Sequence, residues 1–133
     1  MRKTAGLFLA AVMGASFAFA APAFAESGND DDIVEGPCDG FSNWKIKVDT
    51  ENNGRTLEIE YEVDQNVVGD TWQFAIRVDG VVIARGTRTT VAPSGSFEVR
   101  RLVTNTAGDN LVEGAARNTR TGEICVGANT FNG

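Results

Sequence analysis

This chain of 133 residues holds no histidine and only two cysteines, Cys38 and Cys125. Without an imidazole, the usual general base and the usual transition-metal ligand are both missing. What remains is carboxylate chemistry. Glu58, Glu60, Glu62 and Asp64 alternate with Leu57, Ile59, Tyr61 and Val63, so they form a ladder on one face of a strand, with same-face neighbours about 7 Å apart. That separation suits the acid and base of a glycosidase, but such a pair needs a substrate groove and one carboxyl with a raised pKa. A solvent-facing ladder provides neither; it keeps a sheet face solvated or offers an acidic docking surface. Asp30-Asp31-Asp32, with Glu35 and Asp39 nearby, has the charge for calcium but lacks the alternating spacing, the glycine and the terminal glutamate of a calcium loop. Ser94 and Ser96 lie in a Pro-Ser-Gly-Ser turn with no activating base. The chain therefore reads as a non-enzyme, with no catalytic residue, metal site or cofactor.

Residues 1–25 carry Arg2 and Lys3, an apolar run from Leu7 to Met13 and a small-x-small site at Ala23-Phe24-Ala25, the pattern of a secretory signal peptide. No later stretch has the ~18 apolar residues of a membrane helix, so a secreted protein without membrane insertion is expected. Export leaves 10 basic and 18 acidic residues, a net charge of −8, which excludes a basic nucleic-acid footprint. In an oxidising compartment two cysteines are most simply one disulfide, Cys38 to Cys125, with intermolecular pairing as the rival. Closing so long a loop should contribute about 4 to 5 kcal/mol on the chain-entropy account.

Residues 26–42 are acidic and broken by Gly and Pro, reading as a flexible lead-in. From residue 43 the pattern becomes short runs of period two, separated by turn residues every 8 to 14 positions. Seven strands are expected: 43–48, 57–64, 71–78, 81–88, 96–103, 110–118 and 123–131. The Asp79-Gly80 pair signals a two-residue type I′ hairpin. An unbroken register from that turn sets Trp72, Phe74, Ile76, Val78, Val81 and Ile83 inward, with the stem of Arg85 over Phe74. Gln73, Ala75, Arg77, Val82, Ala84 and Gly86 then share the outer face. Residues 43–131 should thus form one all-β domain, a seven-stranded antiparallel immunoglobulin-like or fibronectin-III-like β-sandwich.

The stretch from Gly86 through Phe131, with Ala92-Pro93-Ser94-Gly95-Ser96-Phe97 before one strand and Asn118-Thr119-Arg120-Thr121-Gly122-Glu123-Ile124-Cys125 before the last, resembles small secreted Ig-like domain proteins of high-GC Gram-positive bacteria. The resemblance implies a fold and no particular activity. Because Cys38 precedes the first expected strand, a bridge to Cys125 ties the lead-in to the last strand and is not the central bridge of antibody domains.

The reading for function is a binding or cell-envelope-associated interaction module, its partner an unidentified protein or envelope component. The low-charge outer face of the hairpin is the candidate surface, with Gln73, Arg77, Val82, Ala84 and Arg88 as its contact residues. Residues 26–64 carry 12 acidic and 3 basic groups, and 65–133 carry 6 and 7. The seven arginines of the second half are expected to face the glutamate ladder, or else to form a patch for an anionic cell-wall polymer. Trp44, Trp72 and Tyr61 fall on inward registers, which leaves Phe41, Phe131 and the loops for any stacking role. The alternatives are a small-molecule carrier, which needs an apolar cleft, and an enzyme inhibitor, which needs a protruding loop such as Thr89–Gly95.

Overall fold

A computed structural model describes residues 32–132; the segment 1–25, read above as a signal peptide, and the acidic residues 26–31 lie outside the described residues. The described chain is all-β and contains eight strands: β1 (Ile33–Pro37), β2 (Asn43–Glu51), β3 (Thr56–Asp64), β4 (Thr71–Val78), β5 (Val81–Thr89), β6 (Ser96–Thr104), β7 (Asp109–Asn118) and β8 (Ile124–Asn132). Two four-stranded antiparallel sheets result, ordered β1-β2-β3-β6 and β5-β4-β7-β8. With β1 set aside, three strands face four across an immunoglobulin-like or fibronectin-III-like sandwich.

The alternation read from sequence is the alternation that is buried, except at the hairpin tip, where Val81, expected inward, is exposed. Trp44, Ile46, Val48, Leu57, Ile59, Tyr61, Val63, Phe97 and Val99 line the inner face of the first sheet, and Trp72, Phe74, Ile76, Val112, Ala116, Cys125 and Phe131 that of the second. Where the largest rings project, the opposing strands carry glycine. A Cβ on Gly114 would sit 2.7 Å from the Tyr61 ring, and one on Gly127 would sit 2.4 Å from the indole of Trp44. The Ala- and Gly-rich composition of β7 and β8 is therefore the imprint of aromatic side chains from the other sheet.

Two expectations are corrected. The lead-in 26–42 contains a strand: Val34 pairs with Ile46 and Gly36 with Trp44, and Val34 packs against the core. Gly36 is required because a Cβ there would meet the indole at 2.7 Å. The hairpin register is also not continuous. Asp79 and Gly80 have φ of 50° and 86°, as a type I′ turn demands, and Val78–Val81 and Arg77–Val82 pair as expected. The register then shifts between Ile76 and Arg77, so Ile76 faces Ala84, Phe74 faces Gly86 and Trp72 faces Arg88. The extra residue is Ile83, a β-bulge whose side chain reaches the core. Beyond it every side chain of β5 changes face. Arg88, not Arg85, consequently lies over the Phe74 ring, 5.2 Å from its centroid.

The Cys38–Cys125 disulfide is present, with an S–S distance of 1.98 Å across a sequence separation of 87. It stitches the edge beyond β1 to β8. Beside it the Asp39 amide donates to the Ile124 carbonyl at 3.0 Å, and Asn129 Nδ2 donates to the Asp32 and Ile46 carbonyls at 2.6 and 3.1 Å. The Tyr61 hydroxyl donates to the Cys125 carbonyl at 3.0 Å, and complete burial pushes that phenol far above its ordinary pKa. Replacing both cysteines by alanine is expected to lower stability by about 4 to 5 kcal/mol in denaturant titrations. Tyr61→Phe should lose about 1 to 2 kcal/mol, because it strands a buried acceptor without opening a cavity.

Candidate functional site

Four connections meet at one end of the sandwich: residues 38–42, 65–70, 90–95 and 119–123. Backbone hydrogen bonds lock them together. The Gln65 and Asn66 amides donate to the Gly95 carbonyl at 3.0 and 3.1 Å, Gly69 N donates to Thr90 O at 3.0 Å, and Gly122 N donates to Asn118 O at 2.8 Å. Glu123 holds the first connection from the last, accepting from Ser42 N and Ser42 Oγ, both at 2.8 Å.

Asp70 is the node of this end. Its carboxylate accepts from Gln65 Nε2 at 2.6 Å, Asn118 Nδ2 at 3.0 Å, Arg120 Nε at 2.9 Å and Arg120 Nη2 at 2.6 Å. Gln65 in turn accepts from the Trp72 indole N–H at 3.1 Å, and Asn118 Oδ1 accepts from the amides of Arg120 and Thr121 at 2.8 and 2.9 Å. The Thr90 hydroxyl donates to Val67 O at 2.6 Å and accepts from Asp70 N at 3.0 Å. The paired guanidinium of Arg120, followed by the Gln65 and Asn118 donors, holds the Asp70 carboxyl well below the usual carboxylate range. These bonds draw polar groups inward, and the apolar tips are left outside. Phe41 is fully exposed, and Val67, Val68 and Val91 are exposed as well. A solvent-open cleft of about 520 Å³ runs between Phe41, Val67, Arg120 and Glu123.

The residues expected to form the outer hairpin surface do not share one face. Gln73, Arg77 and Val82 lie on the outer side of the second sheet, whereas the bulge turns Ala84 and Arg88 to the inner side. Ala84 is buried, and Arg77 is committed to Glu113 at 2.8 Å. The Thr89–Gly95 loop is tied at its base to 65–70 and closed by the Val91–Ser96 bridge, leaving Val91 as its exposed large apolar residue. Phe131 is buried.

The glutamate ladder is a cross-strand charge carpet. Glu62 pairs in register with Lys45 and Glu98, Glu60 with Lys47 and Arg100, and Glu58 with Asp49 and Leu102. Lys45 reaches Glu62 at 3.2 Å, and Arg100 bridges Glu58 and Glu60. The Arg100 contact holds the Glu58 carboxyl low. Glu51 is held above its ordinary value by the Glu58 carboxylate beside it, and Glu98 by desolvation and its contact with Glu60. Of the seven arginines expected to face this ladder, Arg100 does so; Arg77 and Arg120 pair elsewhere. Among the described residues no three acidic or cysteine side chains converge as metal ligands.

No protein-family model matches the chain, and no curated protein matches it. Among solved structures it is similar to a lytic polysaccharide monooxygenase from Jonesia denitrificans, determined by neutron crystallography. The sequence identity is 14% and the TM-score 0.39, over 59% of this chain and 53% of that one. The chain thus spans about half the length of that structure.

Sequence reasoning did not find the Asp70 node, because Gly69-Asp70-Thr71 has the composition of an ordinary turn. A carboxyl with a lowered folded-state pKa stabilises the fold above its unfolded value, about 3.9, and this contribution fades as pH falls through that value toward the folded one. Asp70→Asn should therefore reduce stability at pH 7 and flatten the acid limb of the stability curve below about pH 4. Glu98→Gln should do the reverse: a raised carboxyl is unfavourable once ionised, so this variant gains stability above about pH 5. Thermal melts from pH 2 to 8 measure both.

Proposed function

We propose that this protein is a secreted, non-enzymatic binding module that engages a partner protein or cell-envelope component through the loop end of its sandwich. One observation carries the reading: Phe41, Val67, Val68 and Val91 are exposed on three of the four connections at that end, over a base cross-linked by the Asp70 bonds. Apolar side chains held out in water by a rigid base are in place before a partner arrives, so little ordering entropy opposes binding. An aromatic tip such as Phe41 is the kind of residue that dominates interface energetics once it enters a pocket. Immunoglobulin-like sandwiches place their recognition loops at an end in this way. The disulfide and the export-like segment 1–25 both fit an oxidising exterior.

The carrier alternative draws on the 520 Å³ cleft, which shares Phe41 and Val67 with the loop end, so one set of variants tests both. Immobilised wild type should capture material from the native culture that a Phe41→Ser/Val67→Ser/Val91→Ser variant of unchanged melting temperature fails to capture, by at least about tenfold. Leu102→Ser, on the outer face of β6, should leave capture unchanged. Equal capture by wild type and the triple variant, read by mass spectrometry, would falsify the assignment.

A further inference from the structure

The two sheets present four edge strands: β1 and β6 in one, β5 and β8 in the other. The β1 and β8 edges are sealed against each other by the disulfide and by Asp39, Ile124 and Asn129. The remaining edges are β5 and β6, one in each sheet, each with one side of its backbone unpaired among the described residues. Their charges differ. Arg100 of β6 is held by the ladder and Glu98 is exposed, so the outer side of β6 continues the acidic carpet. Strand β5, Val-Val-Ile-Ala-Arg-Gly-Thr-Arg-Thr, contains no acid, and neither does its neighbour β4.

Ten lysines and arginines lie among the described residues. Lys45, Lys47, Arg77, Arg100 and Arg120 form ion pairs. Arg55, Arg85, Arg88, Arg101 and Arg117 face no carboxylate among the described residues, and three of these five stand on the β5–β6 flank. Arg85 is exposed on the outer side of β5. Arg88, on the inner side, lies over Phe74 and donates to the Thr87 carbonyl at 3.0 Å. Arg101, facing inward from β6 and half-buried, donates to the Arg100 carbonyl at 2.8 Å. In a chain with 18 acidic and 12 basic residues, three guanidiniums on one flank with no ion pair among the described residues form a local reversal of charge.

We propose that the β5 edge is a docking site for an extended acidic peptide segment, which adds as a fifth strand to the second sheet. The bulge at Ile83 and the arginines would ordinarily be read as guards against edge pairing. The bulge, however, lies toward the hairpin end, and Ala84 to Thr89 continue in unbroken register with β4, leaving a six-residue template. An added strand obtains its affinity from main-chain hydrogen bonds and its selectivity from alternate side chains. Arg85 and Arg88 lie on opposite faces of β5, so the segment that fits carries two carboxylates three positions apart, one toward Arg85 and one toward Arg88. This surface is separate from the loop end, and neither reading depends on the other.

The test uses the whole disulfide-bonded protein and a capped eight-residue Thr/Val peptide carrying two aspartates three positions apart. Amide chemical-shift changes and new exchange protection should map to β5, and affinity should fall steeply between 50 and 500 mM salt. Arg85→Glu/Arg88→Glu should weaken binding at least about tenfold. A peptide of equal charge with a central proline, unable to complete the ladder, should bind wild type at least about tenfold more weakly. This last comparison needs no protein variant, so it decides the matter even if the double variant misfolds. Equal binding of the proline peptide would reduce the edge to a simple polyanion site and overturn strand addition, as would shifts that map away from β5 or no binding by either peptide.

Discussion

The loop end of this sandwich depends on one buried carboxylate. Asp70 gathers Gln65, Asn118 and Arg120, and through Gln65 it reaches the indole of the core residue Trp72. A carboxylate removed from water is costly unless its lone pairs are filled. Four donor hydrogen bonds, two of them from one guanidinium, meet that demand and fix two connections far apart in sequence. Because the polar groups satisfy one another underneath, the apolar residues of the same loops have no inward place, and Phe41, Val67, Val68 and Val91 are presented to solvent.

The core imposes a second constraint. Two sheets approach closely enough for the rings of Trp44 and Tyr61 to rest on Gly127 and Gly114. Tyr61 fixes the depth of that contact through its bond to the Cys125 carbonyl, the residue whose sulfur also closes the chain onto Cys38. One side of the sandwich is thereby sealed, and the other is left with two free edges of unlike charge. The acidic carpet and the arginine flank are consequences of where strand pairing stops.

Most of this architecture was readable in the alternation of residues. The ladder in 57–64 assigned Leu57, Ile59, Tyr61 and Val63 to the core because no helix could separate them so cleanly from the glutamates, and the same logic placed Trp44, Trp72 and Phe97. The disulfide followed from there being only two cysteines. Three things were not readable. Ile83 could follow either phase, since Val81, Val82 and Ile83 are all apolar and only tertiary packing chooses which one bulges. Strand β1 looked like a linker because Gly36 and Pro37 suggest a turn, whereas Gly36 answers to an indole supplied by β2. The Asp70 node joins residues 48 to 50 positions apart, and nothing local to any of them announces the others. The bulge divides the candidate hairpin residues between two faces, and the surface at the loop end became visible once exposure was known.

Native-state amide hydrogen exchange addresses the central claim, that the loop end is as rigid as the strands beneath it. The Thr90 and Asn118 amides, bonded to Asp70 O and Glu123 O, should exchange only through global unfolding, with the same opening free energy as the core of β3 and β4. The Gly54 and Arg55 amides in the turn at the other end should exchange through local opening. If Thr90 and Asn118 opened as readily as Gly54 and Arg55, the loop end would not be preorganised, and the account of it as a recognition surface would be contradicted.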